Sequence, residues 1–118
     1  MKQEMNLQHV IFTQGMDLDD VLLNQVFEKY EGKFKAIADK KRIRIMNIIT
    51  RKGEINVCEL ALLMNMAQSK LSYHLKILLD ANLINRVIKG TSSYYSLNQD
   101  EVNHLLSSEL CCLFRPTW

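Results

Sequence analysis

The chain has 118 residues and a formal net charge of +2, with 47% hydrophobic and 24% charged side chains, four glycines and one proline. That balance excludes a disordered or fibrous chain and suits one globular domain. No run approaches the ~18 consecutive apolar residues of a membrane-spanning helix, and the apolar run Val10 to Phe12 is too short for a secretory signal. Three cysteines, few and odd in number, point away from a disulfide framework and toward a reducing cytoplasm.

Residues 1–16 read as a flexible N-terminal segment. Asp17, Asp19 and Asp20 place negative charge where a helix N-terminus favours it. Leu23, Val26, Phe27, Tyr30, Phe34 and Ile37 then keep a helical period, with Gly32 a place where it could break. Asp39 is the predicted N-cap of a second helix, which carries Ile43, Ile45, Met46, Ile48 and Ile49 and ends before Gly53. Glu54 to Val57 has room for a small strand only. Cys58 to Met64 reads as a short helix stopped by Asn65, a residue suited to the left-handed conformation. A further helix spans Gln68 to Ala81 with Leu71, Leu75, Ile77 and Leu78 inward. Leu83 to Lys89 and Ser93 to Leu97 are β-prone runs joined by Gly90-Thr91-Ser92, a hairpin signature. Gln99 to Leu110 closes the pattern as a helix with Val102, Leu105, Leu106 and Leu110 on its apolar stripe. The predicted fold is mainly α with a small β-hairpin, a winged helix-turn-helix over residues 17–110, followed by a tail at 111–118.

The near-neutral total hides a local excess. Residues 33–52 carry eight basic groups (Lys33, Lys35, Lys40, Lys41, Arg42, Arg44, Arg51 and Lys52) against Asp39 alone. A charge run by itself is an ordinary solvated face; this one stands just before a helix pair that could read DNA. The second helix of that pair opens with Gln68, Ser69, Lys70, Ser72 and Tyr73, and Lys76 follows one turn on. Helix-turn-helix proteins present such N-terminal residues to base edges, where Gln suits adenine and Lys suits guanine. Lys40, Lys41, Arg42 and Lys70 are the expected phosphate contacts, with Gln68 and Ser69 reading bases. Arg86 and Lys89, placed near the hairpin tip, would lie along the backbone or minor groove. A polar helix face of no particular function is the competing reading. His74 reads as a packing or polar contact at the base of the helix. An enzyme is not supported: the glycines form no phosphate cradle, and neither HExxH nor CxxC occurs.

Three runs, FKAIADKKRIRIMNII, NVCELALLMNMAQSKLSYHLKILLDANLI and the hairpin ending SYYSL, resemble the ArsR/SmtB family of bacterial metalloregulatory repressors over residues 34–97. The resemblance implies a recognition helix at Gln68 to Lys76 and a wing at Val87 to Tyr94. It also implies a homodimer built on the first and last helices, and release from double-stranded operator DNA when a metal or metalloid binds. Dimerisation would bury apolar stripes that so small a domain cannot cover alone. Ala67 stands where the family usually has Ser or Thr, so the recognition helix lacks a side-chain cap, an omission worth about 0.5–2 kcal/mol.

Adjacent Cys111 and Cys112 are the sharpest chemical feature. Pro116 forbids a long helix beyond them, and soft thiolates select thiophilic ions. Arsenic(III) and antimony(III), which favour three sulfurs, are the expected inducers, with no permanently bound cofactor. Cys58 is the candidate third sulfur; a small buried hydrophobe is the other reading of it. Arsenic-sensing relatives carry Cys-Val-Cys ahead of Glu-Leu, and the first of those cysteines is Asn56 here. The family's zinc site at the last helix lacks its Asp and His, with Gln99 and Glu101 in those places. Two alternatives stand beside metalloid release: control by cysteine oxidation, and a winged-helix module that contacts only proteins.

Overall fold

The computed structural model describes residues 17–105, with side chains from Asp20 onward. The N-terminal segment, the end of the last helix and the tail with Cys111 and Cys112 lie outside the described residues. Helix α1 spans Asp17–Ile37 and passes through Gly32 without a break. The reason is register: Val26, Tyr30 and Ile37 recur on one face, so packing continues across the glycine. A helical glycine costs only about 1 kcal/mol relative to alanine, which such packing offsets.

Helix α2 (Lys40–Lys52) starts at Asp39, whose carboxylate accepts from the backbone N–H of Lys41 at 2.8 Å and of Arg42 at 3.2 Å. Gly53 ends it at φ 79°, donating to the Ile49 carbonyl. Of the α2 apolar residues, Ile45, Ile48 and Ile49 are buried, whereas Ile43 stands exposed on the far side. A two-residue strand, β1 (Ile55–Asn56), leads into α3 (Val57–Met64) and then α4 (Gln68–Asp80). Strands β2 (Ile84–Lys89) and β3 (Ser92–Leu97) pair antiparallel through a turn with Gly90 at φ 65°. β1 adds to β3 through Ile55↔Tyr95, making the hairpin a three-stranded sheet of order β1-β3-β2. α5 (Gln99–Leu105) follows.

Ile45, Ile49, Leu60, Leu71, Leu78 and Leu83 are 0% exposed and form the centre of one core. Each contributes about 1.5–3 kcal/mol by leaving water. α2, α3 and α4 each send residues into this core, so the outer face of α4 is held at a set angle to the sheet. The result is the predicted winged helix-turn-helix.

Candidate nucleic-acid interface

The turn between α3 and α4 is built by two asparagines. Asn56 caps α3, its Oδ1 accepting from the Glu59 N–H at 2.8 Å. Asn65 ends α3 in the left-handed region at φ 55°, ψ 50°, and the Met66 N–H then closes on the Ala61 carbonyl at 3.2 Å. Asn56 therefore serves as a helix cap. Asn56 and Glu59 have capping-box spacing, a signal legible in the sequence and passed over there. Ala67 opens α4 with no side-chain cap, as its identity predicts.

Helix α4 then divides cleanly. Leu71, His74, Leu75 and Leu78 are buried, while Gln68, Ser69, Lys70, Ser72, Tyr73 and Lys76 are exposed. Tyr73 is 62% exposed, far more than packing would leave it. The polar N-terminal turn of α4 is thus uncovered among the described residues. Cys58 is also exposed, which removes its reading as a buried hydrophobe; its sulfur accepts from the Gln68 amide at 3.4 Å. A cleft of about 490 Å³ opens beside it, lined by Cys58, Leu62, Met66 and Gln68. No group of three metal-binding side chains occurs among the described residues.

The basic run is much reduced by pairing. Lys33 is 6% exposed and bound to Glu101 at 2.9 Å and to the Ala81 carbonyl at 2.7 Å. Lys35 pairs with Glu31, Lys52 with Glu59 and Lys76 with Asp80. Lys40, Lys41, Arg44 and Arg51 of α2, with Lys70 of α4, have no ion-paired carboxylate among the described residues. Lys41 stands close enough to Lys70 for its positive charge to lower the Lys70 pKa. An anion between them would relieve that repulsion.

The structure gives three of the expected contact residues surroundings of their own. Arg42 does not stand out with Lys41: its side chain is 11% exposed and its guanidinium is turned inward onto backbone carbonyls and His74. Arg86 is not near the hairpin tip but mid-strand opposite Tyr95, lining a cleft with Ser72 and Lys76. Lys89 is beside the tip, but Glu54 holds it at 2.7 Å and raises its pKa, and it stacks over the Tyr94 ring. Sequence separation hid the Arg42–His74 and Lys89–Glu54 contacts. His74 is buried, with Nδ1 3.0 Å from Arg42, as its reading as a polar contact requires.

Residues 39–86 match the family described as bacterial regulatory protein, arsR family. The chain is 57% identical over 96 residues to an arsenical resistance operon repressor of Bacillus subtilis, a match covering 81% of this chain and 91% of that protein. It is 39% identical over 67 residues to an arsenic resistance transcriptional regulator of Pseudomonas putida. That match covers 57% of this chain and 52% of the relative, about half its length. The crystal structure of NolR from Sinorhizobium fredii superposes with a TM-score of 0.62 at 32% identity, over 72% of this chain and 84% of that one. With the helix pair, the wing and the sequence match in agreement, the chain belongs to the ArsR family of bacterial regulatory proteins, which are transcriptional regulators and not enzymes.

Proposed function

We propose that the protein is a homodimeric repressor that binds double-stranded operator DNA and is released by a thiophilic metalloid, arsenic(III) or antimony(III). The observation that carries the DNA reading is the uncovered first turn of α4, with Gln68 and Ser69 exposed toward base edges and Lys70 near Lys41. Lys40, Lys41 and Lys70 bind phosphates, and exposed Ser72, Tyr73, Lys76 and Arg86 are further contacts to the duplex. Lys89, already paired, serves the wing's own structure first. Phe27 and Phe34, one heptad apart on α1, are 53% and 40% exposed and supply apolar surface for a partner subunit. A two-fold dimer sets its recognition helices about 34–36 Å apart, which fits an imperfect palindrome.

Cys111 and Cys112 are the proposed metalloid ligands, and exposed Cys58 is available as the third sulfur. The relative that is 57% identical is an arsenical resistance repressor, which supports this inducer class. Thiolates are the donors such an ion selects. The test is fluorescence anisotropy of the upstream duplex during titration with arsenite, antimonite, a methylarsenical, zinc, cadmium and peroxide. Arsenite or antimonite should release the wild type but not Cys111→Ser or Cys112→Ser. Cys58→Ser separates capture by three sulfurs from capture by two. Equal release of the tail variants and the wild type overturns the metalloid assignment, and release by peroxide alone replaces it with thiol oxidation. A monomer indifferent to duplex DNA at low salt overturns the whole reading.

A further inference from the structure

Arg42 sits at the corner where α1 gives way to α2. Its Nε donates to the Ala36 carbonyl at 2.6 Å and Nη2 to the Lys35 carbonyl at 3.3 Å, both from the last turn of α1. Nη1 lies 3.0 Å from Nδ1 of His74 and 3.8 Å from the Asp39 carboxylate. A guanidinium only donates, so Nδ1 must accept, and the ring is neutral with its proton on Nε2. Burial of His74 lowers its pKa and favours that same neutral form. One side chain therefore joins the end of α1, the start of α2 and the inner face of α4.

The residues flanking this joint are those of the interface. Lys41 precedes Arg42 in α2, and Lys70 lies one turn before His74 in α4. Lys41 stays near Lys70 only if α2 and α4 keep their relative rotation. The Arg42–His74 hydrogen bond is a directed, charge-assisted contact between these two helices. Hydrophobic burial of Leu71 and Leu75 is non-directional by comparison.

We propose that Arg42 is a positioning residue for DNA binding. It acts through His74 to hold the recognition helix so that Lys41 and Lys70 grip one stretch of duplex backbone. This rests on the DNA-binding reading above. It differs from direct phosphate contact, which would require the guanidinium to leave two carbonyls and an imidazole.

A double-mutant cycle on the full chain tests it, using Arg42→Met, His74→Leu, the double variant and His74→Asn. Asparagine places Oδ1 close to the position of Nδ1 and can accept the same N–H; leucine cannot. Affinity for the upstream duplex and for a scrambled duplex is measured against salt, on the DNA-competent fraction found by stoichiometric titration. The result expected is that Arg42→Met and His74→Leu each lose about 10-fold in affinity and the double variant loses little more. Both should flatten the salt dependence alike, and His74→Asn should stay within about threefold of the wild type. Independent, multiplying losses overturn the proposal, as does a salt slope changed by Arg42→Met alone, which marks a direct phosphate contact. If Arg42→Met does not fold, the His74→Leu and His74→Asn pair decides: equal behaviour overturns the proposal. Failure of the wild type to bind either duplex overturns the DNA-binding reading itself, a distinct outcome.

Discussion

Filling the empty N-cap of the recognition helix should separate its stability from its DNA affinity. The N–H groups of Gln68, Ser69 and Lys70 precede the first intrahelical bond, which runs from the Leu71 N–H to the Ala67 carbonyl at 3.0 Å. Ala67 already has the extended backbone of a cap residue, at φ −64° and ψ 148°, and it is exposed. A serine there adds a hydroxyl acceptor without backbone strain or overpacking. Caps of this kind contribute about 0.5–2 kcal/mol, and for a domain of this size about 1 kcal/mol moves Tm by roughly 3–6 °C. Ala67→Asp gains the same cap plus about 0.3–1 kcal/mol from the helix dipole. The aspartate also places a negative charge beside Lys70, where duplex phosphates would approach. Thermal unfolding at one fixed protein concentration should therefore rise for both variants. Anisotropy should show Ala67→Ser binding DNA at least as well as the wild type. Ala67→Asp should bind more weakly at low salt, with the gap closing as salt screens the charge. A Tm unchanged within about 1 °C for both variants would refute the idea that α4 begins uncapped. Equal DNA affinity for serine and aspartate would refute the placement of phosphate at this helix end.

Glu101→Gln removes the carboxylate charge beside the buried Lys33 ammonium, leaving it only the Ala81 carbonyl and a neutral amide oxygen, and should cost about 1–3 kcal/mol in denaturant unfolding. Because Lys33 lowers the pKa of Glu101, this pair stabilises the fold fully above the ordinary glutamate value and loses its effect as pH falls through the lowered one. The stability difference between wild type and Glu101→Gln should accordingly shrink as pH falls below the ordinary glutamate range. Asn65 holds a left-handed conformation, so Asn65→Gly should be tolerated while Asn65→Ala is less stable than the glycine variant by about 1–2 kcal/mol, read by thermal unfolding. In DNA titrations, Lys70→Ala should weaken all duplexes alike and reduce the salt slope by about one. Gln68→Ala should instead relax preference at one base pair.

Much of the fold is legible in short stretches of chain, because its signals act within about four residues. Asp39 as a cap, Asn65 and Gly90 at positive φ, and the α4 stripe of Leu71, Leu75 and Leu78 are such local statements. So is the outward set Gln68, Ser69, Lys70, Ser72 and Tyr73, fixed by helical period once its neighbours are buried. Which cations remain available is a different kind of fact. Counting charge along residues 33–52 treats every lysine and arginine as equal, but Coulomb attraction and hydrogen bonding depend on distance in space. Lys33 is cancelled by Glu101, Lys89 by Glu54, and Arg42 is drawn inward by His74, all across contacts between elements far apart in the chain. Packing also carried α1 through Gly32 and recruited Ile55 and Asn56 as a third strand, against weak local preference. Sequence alone determined where the reading helix begins and which side chains it turns outward. Only the tertiary structure decided which positive charges were left to meet DNA, because neutralisation is set by the partner a folded chain brings within reach.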